Sequence, residues 1–153
     1  MNNKKVYSTR RGFTLIEVLI VVSIIGILAS IVLVGLGAFR SRGRDTRRLA
    51  DVRQMQGAFE IYYTKTQQYP PQSNWDQLAA GLKSAQIGID KIPNDPLPGR
   101  TYWFGVSSSG QNYVIGAQLE DVNHPSLRDD IDPDSSINTF GVDCTDPVYC
   151  VQF

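Results

Sequence analysis

This sequence predicts an α+β fold: one long N-terminal α-helix, with a membrane-spanning first half, packed on a small head built round an antiparallel β-sheet. Three observations carry that expectation. From Phe13 to Phe39 the chain runs for 27 residues with one ionisable side chain, Glu17. No proline interrupts it before Tyr69-Pro70-Pro71, and apolar residues recur at helical spacing up to that point. Beyond lie two strand-like runs, Thr101–Val106 and Gln111–Leu119, joined by Ser107-Ser108-Ser109-Gly110, which is the pattern of a hairpin.

The apolar run comes first. About 20 such residues cross a bilayer, and eighteen of these 27 are Leu, Ile, Val or Phe. At roughly −0.4 kcal/mol each they outweigh a penalty of about 3 kcal/mol for one central carboxylate. Glu17 lies four residues past Phe13, near the membrane surface, where its cost is lower still. One reading makes it a helix-end carboxylate reaching the interface. The other follows from the rule that ionisable groups inside membrane segments serve a function, and it needs a partner charge. Cleavage between Gly12 and Phe13 would supply one, because it creates an α-amino group one helical turn away, largely cationic near neutral pH. Between two subunits such a pair would fix axial register even if it added little net stability.

The residues RRGFTLIEVLIVVSIIGILA, Arg10 to Ala29, resemble the N-terminus of type IV pilin-like proteins, the type IV pilins and the pseudopilins of type II secretion. By motif position the resemblance implies that a prepilin peptidase cuts after Gly12 and N-methylates Phe13. It also implies that Glu17 pairs with a neighbour's N-terminus during assembly. The chain then divides into a basic leader over 1–12, a transmembrane and filament-core helix over 13–39, an amphipathic continuation over 40–69 and a head over 70–153. The implied partners are other copies and related pilin-like subunits, the peptidase, an inner-membrane assembly platform, and membrane lipid before assembly. The implied location is the bacterial inner membrane, single-pass, with the leader cytoplasmic and the head outside, and then a periplasmic or extracellular filament. Two other junction readings stay open. Thr9-Arg10-Arg11-Gly12-Phe13 resembles a twin-arginine export signal, and Gly35-Leu36-Gly37 has the small-x-small form of a signal-peptidase site. Both meet an apolar run far longer than the usual signal core of about 7–15 residues.

Charge is zero in sum but unevenly spread. Residues 1–12 and 40–65 are each +4, whereas 66–153 are −7. An acidic outer region makes a poor nonspecific nucleic-acid surface, since phosphate contacts need Lys and Arg. The basic cluster at Arg40, Arg42, Arg44, Arg47 and Arg48 reads as a solvated juxtamembrane face. Contacts to lipid phosphate, acidic subunits or nucleic acid are the alternatives. Bases flank both ends of the span, so charge alone does not orient it. Cys144 and Cys150, six apart with no nearby histidine, read as a small disulfide loop in an oxidising compartment.

After Phe39, Leu49, Val52, Met55, Phe59, Tyr62 and Tyr63 mark a buried helical stripe, with Arg48, Asp51 and Lys65 opposite. The whole helix, from about Thr14 to Gln68, would be roughly 80 Å long. Gly35, Gly37 and Gly43 weaken it by about 1 kcal/mol each; close packing on a neighbouring helix or local unwinding would explain them. Ser73 reads as the cap of a short helix from Trp75 to Lys83 or Ser84 that buries Trp75, Leu78, Ala79 and Leu82. A proline-rich connector, Ile92 to Gly99, leads to the hairpin. The Tyr69-Pro70 stop and Pro93, Asp95, Pro96, Gly99 and Tyr102 also resemble pseudopilins of type II secretion.

The tail is acidic. Closely spaced oxygen donors can hold calcium, and the resemblance implies a calcium site in this region, for which Asp129, Asp130, Asp132 and Asp134 are the candidates. No EF-hand spacing is present, and a solvated acidic loop is the competing reading. Phosphate-loop, dinucleotide and zinc-enzyme motifs are missing, and the one histidine, His124, precedes a proline in a polar stretch. The sequence therefore reads as a non-enzymatic filament subunit, most like a major pseudopilin. A type IV pilin for adhesion, motility or DNA uptake is the near alternative, and an exported or membrane-tethered binding protein is the distant one.

Overall fold

A computed structural model describes residues 12–72, 74–89, 91–132 and 138–153, with backbone alone at 33–35. The elements in order are helix α1 (Leu15–Thr66), helix α2 (Trp75–Ser84), strand β1 (Trp103–Val106), strand β2 (Tyr113–Gln118), a 3-10 turn at Pro125–Arg128 and strand β3 (Val148–Gln152). The fold is α+β and pilin-like, a long apolar N-terminal helix with a small antiparallel sheet. The chain divides into two compact units, Met1–Phe39 and Arg40–Phe153.

In the first unit α1 buries nothing. Among the described residues its large apolar side chains are exposed on every side, from Leu15 at 83% to Leu36 at 39%. Ser23 and Ser30 donate their hydroxyls to the carbonyls of Leu19 and Ile27, both at 2.7 Å. The helix thus satisfies its own polar groups, as a helix in hydrocarbon must.

In the second unit α1 has one buried face: Val52, Met55, Ala58 and Phe59 are at most 3% exposed. The expectation that Arg48 and Asp51 lie opposite this stripe is overturned, because both are buried. Periodicity assigns charge to solvent; here the carboxylates of Asp95 and Glu120 draw Arg48 inward, and the Tyr102 hydroxyl donates to Asp51 at 2.7 Å. The helix also stops two residues before the expected Gln68, since Gln67 takes the left-handed conformation at φ 59°. The short helix α2 buries Trp75, Leu78 and Leu82. Its cap is Asn74, whose side chain accepts the Asp76 amide at 2.8 Å; Ser73, the expected cap, lies outside the described residues.

The sheet is antiparallel in the order β1-β2-β3, with Phe104 opposite Ile115 and Ile115 opposite Val151. One face joins Tyr102, Phe104, Tyr113, Ile115 and Ala117 to the α1 stripe and α2 in a single core. Phe59 sits at its centre, 4.7 Å from the ring of Phe104 and 5.0 Å from that of Tyr113. The other face is covered by Val142, Cys144, Val148 and Cys150. This close cover explains two glycines: a Cβ at Gly105 would come 2.6 Å from the Phe140 carbonyl oxygen, and one at Gly116 3.1 Å from Val142. Strand β3 has no counterpart in the sequence reading. Its Val148 and Cys150 are inward, but five residues behind a proline give too short an alternation to stand out.

Candidate assembly site

The start of α1 is held by its own first residues. Thr14 precedes the helix and donates both its backbone N–H and its hydroxyl to Glu17 Oε2, at 2.8 and 2.7 Å. The Glu17 amide returns a bond to the Thr14 hydroxyl at 3.3 Å. This reciprocal arrangement is a capping box, which occupies helix-end donors that would otherwise be unpaired. Thr-Leu-Ile-Glu is its sequence signature, a local signal that competes with the reading of Glu17 as a charge awaiting a partner. Glu17 is therefore engaged within one chain before any partner arrives. Phe13 beside it is 89% exposed, and Gly12, the last residue before the expected cut, is exposed as well. Phe13 and Glu17 thus stand at one accessible end of an apolar helix. The leader over 1–11 lies outside the described residues.

In the second unit the basic cluster is split. Arg48, fully buried, bonds Asp95 through Nε and Nη2 at 2.7 and 2.9 Å, and Asp45 and Glu120 through Nη1 at 2.7 and 2.8 Å. Arg44 forms a bidentate pair with Glu120 at 2.7 and 2.6 Å. Asp45 also accepts the amides of Glu120 and Asp121 at 2.9 and 3.0 Å. Hydrogen bonds from Arg44 lead the effects that hold the Glu120 carboxyl down at about 2. For Asp95, burial pulls the other way, but the bonds from Arg48 outweigh it and lower the carboxyl. These two arginines are internal anchors joining α1 to the connector and to the segment after β2. The expectation of a uniformly solvated basic face is corrected for Arg44 and Arg48.

Comparisons with known proteins bear on both ends of the chain. Residues 7–33 match the family described as the prokaryotic N-terminal methylation motif. The type II secretion system core protein G of Klebsiella pneumoniae is 26% identical over 80% of this chain and 92% of its own length. That of Aeromonas hydrophila is 27% identical over 77% and 94%. The chain carries this N-terminal methylation motif and is similar to core protein G over most of its length. Its similarity to core protein G extends past the methylation motif into the head. The fimbrial protein EcpC of Eikenella corrodens is 32% identical over 72% of this chain and 63% of its own length. No solved structure gives a significant match.

In the head of this pilin-like chain, Cys144 and Cys150 form a disulfide. The loop it closes carries Asp146, whose carboxylate lies close to those of Asp130 and Asp132, with ligand atoms all within 4.8 Å of one another. Asp130 Oδ2 accepts the Cys150 amide at 2.8 Å, while its Oδ1 is buried with no hydrogen-bond partner. Burial, and then the charges of Asp132 and Asp146, push the Asp130 carboxyl up. Three carboxylates converging on an orphaned oxygen fit a hard cation. Of the four expected donors, Asp130 and Asp132 are brought together, Asp129 is exposed and outside the group, and Asp134 lies outside the described residues; Asp146 joins the group. Sequence spacing missed Asp146 because the disulfide, not the local chain, delivers it. His124 has a structural task, accepting the Ser126 amide at Nδ1 to cap the 3-10 turn.

Proposed function

We propose that this chain is a structural subunit of a pilus-like filament, made as a precursor and acting as a major pseudopilin of type II secretion. The observation that carries this reading is an apolar half-helix whose described side chains are exposed and most of which lies inside the methylation-motif match. A surface of that kind needs lipid before assembly and neighbouring helices after it. Homology to core protein G over most of the chain favours the secretion filament. The fimbrial relative favours a pilus as the second reading.

In this account a prepilin peptidase cuts between Gly12 and Phe13 and methylates the new amine, on the cytoplasmic side of the inner membrane. The head stays outside, and an assembly platform passes the helix from lipid into the filament core. Mass spectrometry of the mature N-terminus tests it. N-methyl-Phe13 is expected; a start beyond Gly37 would mean conventional export, and an intact Met1 would sink the reading.

Glu17 then has two successive tasks, capping its own helix and pairing with a neighbour's amine. Two substitutions separate them. Glu17→Gln keeps the capping box, which accepts Glu or Gln, but removes the charge, whereas Glu17→Val removes both. Both variants are expected to insert normally and to fail to co-assemble with wild type. Normal assembly of Glu17→Gln would leave capping as the whole role. In the head, Asp130, Asp132 and Asp146 would hold calcium and so tie the disulfide loop to the segment before it. Millimolar calcium is expected to raise the melting temperature of wild type but not of Asp130→Asn. Identical melting with calcium and with chelator would remove the site.

A further inference from the structure

The arginines that follow the apolar segment form two populations. Arg44 and Arg48 are consumed by Asp45, Asp95 and Glu120. Arg40 and Arg42 are exposed, and neither has an ion-pair partner among the described residues. Arg47 is 61% exposed, with Asp51 at 3.8 Å.

We propose that Arg40 and Arg42 bind the phosphates of anionic phospholipids at the membrane surface, so that the unassembled chain gathers acidic lipid round its helix. This rests on the reading that Phe13–Phe39 spans a bilayer. Depth is the first argument. The headgroup layer is about 5–8 Å thick on each side of the hydrocarbon. At 1.5 Å per residue, Arg40 and Arg42 lie about 1.5 and 4.5 Å beyond Phe39, whereas Arg47 lies about 12 Å beyond. Two arginines therefore fall within the headgroup layer and the third falls past it.

Direction is the second argument. At about 100° per residue, Arg40 and Arg42 project some 200° apart round the helix. A single protein face would meet only one of them. A layer of headgroups surrounds the helix and meets both. The chemistry agrees, since a guanidinium grips phosphate with two parallel hydrogen bonds. Residues 66–153 are net −7, so an acidic bilayer finds its attraction at this ring and not in the head at large.

The test uses the full chain in phosphatidylcholine vesicles with about 30 mol % phosphatidylglycerol, a composition that mimics an acidic leaflet. Electron paramagnetic resonance of spin-labelled lipids reads the preference of motionally restricted phosphatidylglycerol over phosphatidylcholine. The basic leader is common to all variants, so the reading is the difference from wild type. The Arg40→Gln, Arg42→Gln double variant is expected to lose a preference of up to roughly 30-fold, at about fivefold or about 1 kcal/mol per arginine near an acidic surface. Arg47→Gln is expected to match wild type, and about 1 M salt to remove the difference.

A double variant with wild-type preference overturns the proposal, as does an equal loss in Arg47→Gln. Unchanged lipid preference combined with lost co-assembly would assign the two arginines to a subunit surface instead. Carbonate extraction of the same vesicles keeps the two readings apart. Chain retained in the pellet with no lipid preference sinks only the arginine proposal, while chain released from it sinks the membrane span itself.

Discussion

Helix α1 is regular over both of its halves, yet the halves depend on different surroundings. Over Arg40–Thr66 the chain answers its own needs: Phe59 fills the sheet's inner face, and Arg48 meets Asp95 and Glu120 of its own head and Asp45 of its own helix. Over Leu15–Phe39 the described large apolar side chains are exposed, while the helix backbone, the serine hydroxyls and the helix cap are satisfied internally. The same secondary structure is thus paired once with a covalently attached partner and once with surroundings the chain does not supply. Substitutions in the second half should change the stability of the folded chain. Substitutions in the first half should leave that stability alone and change insertion or assembly.

Arg48→Ala probes the self-contained half most severely. It leaves the buried Asp45 and Asp95 without their cation, and removing one partner of a buried pair costs about 3–5 kcal/mol. Near-ultraviolet circular dichroism of the whole chain in detergent should show a large fall in the head's melting temperature, with membrane insertion unchanged. A fall below about 1 kcal/mol would place Arg48 among the weak surface pairs and dissolve the contrast between the halves.

That arginine also marks where sequence reading ended. The helix, its stop before Pro70, the short α2 and the hairpin were legible because each rests on a local signal: period, proline, cap or turn. The proposed processing residues Gly12 and Phe13 and the proposed assembly residue Glu17 rest on one continuous motif. What stayed hidden depends on residues far apart in the chain. Arg48 and Glu120 are 72 residues apart, and a solvated charge and a buried, fully paired one look alike in sequence. Asp146 joins Asp130 and Asp132 through the disulfide-closed loop, so the local acidic run over 129–134 named only part of the set. Thr14 belongs to a different class: its capping signature was local and readable, but the unpaired acid drew the interpretation toward intersubunit charge.

Acid should expose the same network more gently. The Glu120 carboxyl is held down at about 2 against an ordinary 4.5. A lowered carboxyl contributes stability above its ordinary value and loses it as pH falls through its folded value. Asp95, lowered through Arg48, adds in the same direction. Asp130, raised by burial and by its acidic neighbours, acts in the opposite sense and is eased by protonation. The melting temperature of wild type should therefore fall progressively from about pH 4.5 toward pH 2, and Glu120→Gln should flatten part of that slope while starting lower at neutral pH. An unchanged slope in the variant would show that other groups dominate acid unfolding.

The smallest expected effects come from a pair of glycines, and they separate the halves most cleanly. A Cβ at Gly37 or at Gly57 would meet nothing within 4 Å, and both residues lie inside α1. By propensity alone each glycine costs the helix about 1 kcal/mol relative to alanine. Gly57→Ala lies in the half that packs on its own head, so it should raise the melting temperature by about 0.5–1 kcal/mol worth of stability and leave assembly unaffected. Gly37→Ala lies in the half whose partners come from outside. Its methyl group occupies space that is open in the single chain but is the kind of space small residues leave for a close neighbouring helix. The head's melting temperature should not move, while the yield of filaments in a co-assembly assay should drop. If Gly37→Ala assembled as well as wild type, the glycine would have no packing partner, and the reason for its place in the apolar half would have to lie in the backbone freedom of the helix itself.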